Sequence, residues 1–497
     1  MLEEENFKKK LRQFPTYLLL EEFSVISMEI FNHYQNATKF IKINYLDENN
    51  KPQNCDFSIS QWDLIEVGFH SIIFGNDYRN KKIDENNFLD LLNLHKHFSE
   101  GKENVDSFKG DDIYLQLICM ANMQFDFQSM PIKNKFNRFY HILTTINQNA
   151  DYDQTDKVSY IDFSKKFNEI TGFELENYTK CFLIIVLLSM KRKNPNIMEL
   201  INEIEFDINK VFKIEKIELM NIIEHQSKDY SYYKQFDNWN ILKYYPIVKS
   251  DKYKEKYIIS NLSSLVINIY NNIYWNIRNH YAELNSRKFT TYFGYCFECY
   301  LEEVFSYYEI DAHKIAINNK QKSPDWIFES ENYCFLIEQK ATLFPIDTKT
   351  IVSTSRFEKL NNFLKTVVVK GIKQLDEYNP NTKKEVIRIC LLLDDIHMEE
   401  LIEELSFKKF TLKNQRELTW ITSIEVFEKM IKLLSSDEKE FERLIDVKIH
   451  LEKIKYNKGR SLEKIFSNVE NDYIKKEINH FNEIIDKIKE KIEDNNE

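Results

Sequence analysis

Apolar residues recur at i, i+3, i+4 through residues 17–31, 62–73, 136–146, 178–190 and 197–211, the spacing of helices that bury one face. Polar Asn/Asp/Lys clusters at 47–54 and 147–157 separate these stretches, so residues 1–240 read as a mostly helical recognition or regulatory domain. The period changes after about residue 240. Helices are expected over 262–280 and 292–307, then short β runs near 314–317, 325–329 and 333–337. A helix over 361–378, a buried strand at 386–393, a strand at 418–422 and a helix from 424 follow. That order predicts an α/β domain with a mixed sheet over 241–435, its core at 285–435. From 436 to 497 the chain is again helical. Leu462, Ile465, Phe466, Val469, Tyr473, Ile478, Phe481, Ile485, Ile488 and Ile492 mark an apolar stripe in this tail that needs cover from the body, a second copy or a partner protein. The fold class expected is α+β overall: a large helical N-terminal domain, an α/β domain and a helical C-terminal tail.

Composition narrows the function classes. With 43% hydrophobic and 14% aromatic residues in 497, the chain has enough apolar material for a sizeable core, and most of it is not intrinsically disordered. It contains no G-x-G-x-x-G and no G-x-x-x-x-G-K-[ST], which argues against a Rossmann dinucleotide site or a P-loop ATPase. The acidic start, Met1-Leu2-Glu3-Glu4-Glu5, is unlike a signal peptide, and the longest strongly apolar run, 181–188, is too short for a membrane span. A cytoplasmic protein with no membrane partner is expected. Seven scattered cysteines fit reduced core residues; the one C-x-x-C pair, Cys296 and Cys299, lacks a second pair for a metal site. His95 and His97, two apart on a helix, point to different sides and read as solvated. The net charge of −11 excludes a general coat of positive charge for nucleic acid, but leaves room for a local basic groove or a metal site.

The chemistry concentrates in Ser323-Pro324-Asp325-Trp326-Ile327-Phe328 and Tyr333-Cys334-Phe335-Leu336-Ile337-Glu338-Gln339-Lys340. If the two strands pair as a hairpin across 329–332, Asp325 comes to the Glu338 end, and the period of two turns Glu338 and Lys340 to one face. Two carboxylates about 4 Å apart repel by roughly 4 kcal/mol at an effective dielectric near 20. Such a pair shares a proton or holds a cation, and hard oxygen ligands favour Mg²⁺ or Mn²⁺. A neighbouring lysine can orient or help deprotonate a water and offset charge on a phosphate, which is the chemistry of phosphodiester hydrolysis. Acid-x-Lys spacing also occurs at Glu100/Lys102, Asp347/Lys349 and Asp446/Lys448. Only the Glu338 copy closes an apolar strand-like run, thirteen residues after the Asp of the sole Pro-Asp dipeptide.

Pro324-Asp325 followed by Glu338-Gln339-Lys340 resembles the signature of the PD-(D/E)XK nuclease superfamily. Residues 293–301, with Glu298, look like that family's first core helix, and Gln374-Leu375-Asp376-Glu377-Tyr378 is similar to the Q-x-x-x-Y of its RecB-like branches. The resemblance covers about 285–435. It implies a restriction-endonuclease-like domain in which Asp325, Glu338 and the Gln339 backbone carbonyl ligate Mg²⁺ or Mn²⁺, and Lys340 serves the attacking water or the phosphate. Glu298 would bind a second metal or a metal-bound water, with Glu302, one turn on, in reserve; Gln374 and Tyr378 would steady the site or touch the nucleic-acid backbone. It implies a DNA-preferring endonuclease, a hydrolase of the kind found in bacterial restriction and antiviral defence. The rival readings are a catalytically silent nuclease fold that serves binding or scaffolding, and an RNA-cleaving, toxin-like nuclease. Asp394 and Asp395, closing the 387–393 strand, are weaker site candidates.

Overall fold

The apolar run that ends in Glu338-Gln339-Lys340 becomes the middle strand of a five-stranded sheet. The computed structural model of the chain describes residues 2–33, 38–46, 52–100, 111–124, 132–149, 159–203, 208–236, 238–253, 256–315, 323–344, 355–394, 397–408, 412–454 and 461–494. The strands of this sheet are β1 (His313–Lys314), β2 (Trp326–Glu329), β3 (Tyr333–Lys340), β4 (Glu385–Leu392) and β5 (Thr419–Ser423), in spatial order 5-4-3-2-1. β1, β2 and β3 pair antiparallel, whereas β3, β4 and β5 run parallel, so the sheet is mixed as expected. The β2–β3 turn closes where the sequence predicts it, with Ser330 N–H donating to the Tyr333 carbonyl.

A parallel step needs a crossover. Between β3 and β4 it is a helical run of Ser355–Phe363, a π-helical turn Leu364–Val368 and Val369–Glu377. The helix begins earlier than its apolar spacing predicts.

Alternation along β3 sends its two faces to different cores. Tyr333, Phe335 and Ile337 join the principal apolar cluster, with Ile387, Ile389 and Leu391 of β4 and Trp420 of β5. Leu336, Cys390, Leu392 and Ile421 join a second, smaller cluster under the crossover helices. Helices Lys288–Tyr307 and Ile424–Ser436 cover the first face, where Phe305 meets Trp326, Phe328 and Phe427 at centroid distances of 5.3, 5.8 and 6.0 Å.

The N-terminal half is helical with two departures. Thr38–Leu46 and Pro52–Ser60 form an antiparallel hairpin, and the second of these strands incorporates part of the polar cluster read as a separator. Cys55, Phe57 and Ile59 alternate with polar residues there, a period of two that the neighbouring helical periods obscure. Ser227–Asp229, Ile247–Lys249 and Tyr257–Ile259 build a three-stranded sheet from strands too short to show any period. The helix expected over 197–211 occurs as Ile197–Asn202 and Ile208–Phe212, with 204–207 outside the described residues. No helix among the described residues is long and apolar enough to cross a membrane.

The tail stripe is covered by the chain itself. Leu462, Phe466, Tyr473, Ile478, Phe481, Ile485 and Ile488 all lie in the principal cluster. Phe481 meets Phe136 edge-on at 5.6 Å, and its N–H donates to Asn137 Oδ1 at 2.8 Å. The apolar argument for a second chain is thereby met internally.

One buried ionic group ties the halves together. Arg138, on helix Ile132–His141, donates from Nε to Glu428 Oε1 at 2.8 Å and from Nη2 to Glu428 Oε2 at 2.6 Å and Glu425 Oε2 at 2.8 Å. Asn471 of the tail donates to both glutamates. Removing one partner of a buried group leaves the other charges without compensation, at about 3–5 kcal/mol. Arg138→Leu should therefore lose stability on that scale in urea unfolding at neutral pH. A loss below about 1 kcal/mol would contradict this account.

Candidate functional site

The register places the two carboxylates before any side chain is considered. Trp326 pairs with Ile337, so one step further Asp325 stands across from Glu338, on the face shared by Ile327 and Leu336. Asp325 Oδ2 accepts the Gln339 N–H at 2.8 Å, and the Asp325 N–H donates to the Ile337 carbonyl at 2.9 Å. Glu338 is only 2% exposed. Its Oε1 accepts from Lys340 Nζ, two residues on and on the same face, while its Oε2 has no hydrogen-bond partner among the described residues. Buried acceptors are nearly always satisfied, and this oxygen is open to a further donor or a cation.

Burial dominates the electrostatics. It raises the Asp325 carboxyl from 3.8 to about 7, with the Glu338 charge adding to the effect, against the Gln339 N–H and Lys340. Burial also raises Glu338, resisted by Lys340, Lys370 and Gln374. For Lys340 burial disfavours the charged form, but Glu338 and Asp325 outweigh it and hold the ammonium above its ordinary pKa. It is a firm cation in this setting.

Other expected residues divide. Glu298 is close enough for its charge to act on Asp325, but its Oε1 is held by Lys314 Nζ at 2.8 Å. The same ammonium takes Glu302 Oε1 at 2.6 Å, so the reserve glutamate is engaged by the same partner. Gln374, on Val369–Glu377, reaches Glu338, whereas Tyr378 ends that helix and packs against the second cluster. The Gln339 side chain accepts from Trp326 Nε1 at 3.2 Å. Asp394 is a loop anchor, accepting the Phe344 N–H at 2.8 Å; Asp395 lies outside the described residues. Cys296 and Cys299 are free thiols, the first buried and pushed up to about 12 by that burial.

Sequence reasoning missed Lys314, Lys370, Cys390 and Gly371. A Cβ at Gly371 would stand 2.9 Å from Cys390 Sγ, 3.1 Å from Lys340 Cε and 3.4 Å from Glu338 Cγ. Absence of a side chain there lets the crossover helix lie directly on the site. A glycine inside a helical run is the one signal that points to it, since it costs about 1 kcal/mol relative to alanine. The solvated reading of His95 is overturned: the side chain is 1% exposed and sits beside His70 and Glu66, while His97 is exposed as expected. His70 and Glu66 belong to another helix, which no spacing around residue 95 reveals.

Comparison of the chain with protein-family models, curated proteins and solved structures finds no match.

Two outcomes follow from this geometry. Because folding raises the Asp325 pKa, its contribution to stability is full below about 4 and is lost as pH rises through about 7. In EDTA, Asp325→Asn should remove about 2–3 kcal/mol of that decline between pH 5 and 8, read from urea midpoints. An unchanged slope in the variant would contradict the assignment. Gly371→Ala, although alanine favours helix, should destabilise by about 1–3 kcal/mol because the methyl overpacks against Cys390 and Lys340; equal or greater stability would show that the helix is not pressed onto the site.

Proposed function

We propose that the chain is a metal-dependent nuclease hydrolysing phosphodiester bonds, with Asp325, Glu338 and Lys340 at its centre. The observation that carries this reading is the buried Glu338 Oε2, without a hydrogen-bond partner among the described residues, across from a second carboxylate and beside an ammonium. A buried Glu338 facing a partly buried Asp325, both carboxyls pushed up by desolvation, fits a hard divalent cation, Mg²⁺ or Mn²⁺. Asp325, Glu338 and the Gln339 backbone carbonyl would hold it, and Glu298 would join after giving up Lys314. Such a cation supplies Lewis acidity towards a phosphate and a water.

The chain's own residues do the rest. Lys340 holds Glu338 in place and keeps positive charge where a phosphate would gain negative charge. With its pKa raised, it acts by charge rather than as a base. Gln374 supports Glu338 from the helix that Gly371 brings close, and exposed Lys370 and Lys373 on the same helix offer positive charge to a nucleic-acid backbone. The order of Glu298, Asp325, Glu338, Lys340 and Gln374 along one helix-strand-strand-helix unit supports the resemblance to PD-(D/E)XK nucleases. DNA as preferred substrate, endonucleolytic cleavage and a place in bacterial restriction or antiviral defence rest on that resemblance; a cytoplasmic setting rests on the acidic start and the lack of a membrane-spanning run.

The test is cleavage of supercoiled plasmid, linear duplex, single-stranded DNA and RNA with Mg²⁺, Mn²⁺ or EDTA. Cutting should require the metal, favour DNA and fall by on the order of 10²–10³ in Lys340→Ala, with circular dichroism unchanged. Unimpaired cutting by a folded Lys340→Ala protein would sink the reading.

A further inference from the structure

We propose that Glu66, His70 and His95 form a second metal site, independent of the nuclease reading and suited to zinc. Glu66 and His70 stand four apart on helix Gln61–Phe74 and so share a face. His95 meets them from helix Glu85–Glu100. One donor atom from each of the three lies within 4.8 Å of the other two, and His95 Nε2 is 3.7 Å from Glu66 Oε1.

The surroundings distinguish this group from a surface cluster. His70 and His95 are 7% and 1% exposed, with ring centroids 5.5 Å apart. Phe74 stacks on His70 at 5.7 Å, Phe98 meets it edge-on at 5.0 Å, and Phe7 lies 5.4 Å from His95. Burying two imidazoles in an aromatic box is costly unless their nitrogens are met. Two imidazoles and a carboxylate converging from two helices are the donor set of His₂Glu zinc sites. Imidazole donors also separate the two centres chemically, because they favour zinc over Mg²⁺. Bound metal would join the two helices, so its binding free energy would add to the stability of the N-terminal half.

The experiment uses the full untagged chain, stripped with chelator and dialysed. Isothermal titration with ZnCl₂, metal analysis after desalting, and the visible spectrum on adding Co²⁺ are read for wild type, His70→Gln, His95→Gln and Glu338→Gln. The expected result is a single tightly held zinc, a tetrahedral-type cobalt spectrum and a higher Tm with zinc in wild type. Glu338→Gln should keep all three, which separates this site from the nuclease centre. Both histidine variants should lose them. Folded wild type that takes up no zinc and shows no Tm shift would overturn the proposal on its own, even if the histidine variants fail to fold. Retention of the zinc by either folded histidine variant would overturn it too.

Discussion

Placing a glutamate in the interior of a sheet is the constraint around which this half of the molecule is arranged. Glu338 lies on the middle strand, covered on both sides, and a carboxylate there is unfavourable unless its charge is met. Lys340 meets it from two positions along the strand, and Asp325 sits across the ladder, where it increases the negative charge instead of relieving it. A fold built for stability alone would place an apolar pair at these positions, as it does two residues along on the same face at Ile327 and Leu336. Beyond Lys340, such a pair is relieved by a shared proton or by a cation.

That constraint explains the unequal dressing of the sheet. One face meets the large aromatic and aliphatic cluster that also takes in the helical half and the tail. The other meets a smaller cluster, and it is on this thinner side that Glu338, Lys340 and Cys390 point. The rigid face fixes the strands; the lighter one leaves the charged ends within reach of the surface, with Lys340 still 18% exposed at its side chain.

What could be read in the sequence follows from how local each feature is. Asp325, Glu338 and Lys340 are linked by one tight turn and the two-residue period, so their neighbourhood is set by about fifteen consecutive residues. Glu298 could be placed on its helix face, but its engagement by Lys314 depends on β1 adding to the sheet edge, which no period in a two-residue strand announces. Gly371 and Lys370 act through the crossover helix, whose docking angle is a tertiary outcome. Tyr378 matches a spacing but falls where the helix has ended, and the spacing carries no information about that end. Spacing relates His95 to His97, its neighbour in sequence, whereas Glu66 and His70, its neighbours in space, come from another helix.

The tail has a temporal consequence. Helix His480–Asp494 covers apolar residues of helices that end near residues 141 and 192, and Asn471 completes the ionic group around Arg138. During synthesis those surfaces emerge hundreds of residues before their cover does. At roughly 5–20 residues per second, the helical half waits tens of seconds with part of its core facing water. The sheet that carries Glu338 is complete by residue 423 and needs no such late partner for its strand order. All five strands around Glu338 are thus made before the segment that covers the helical half emerges.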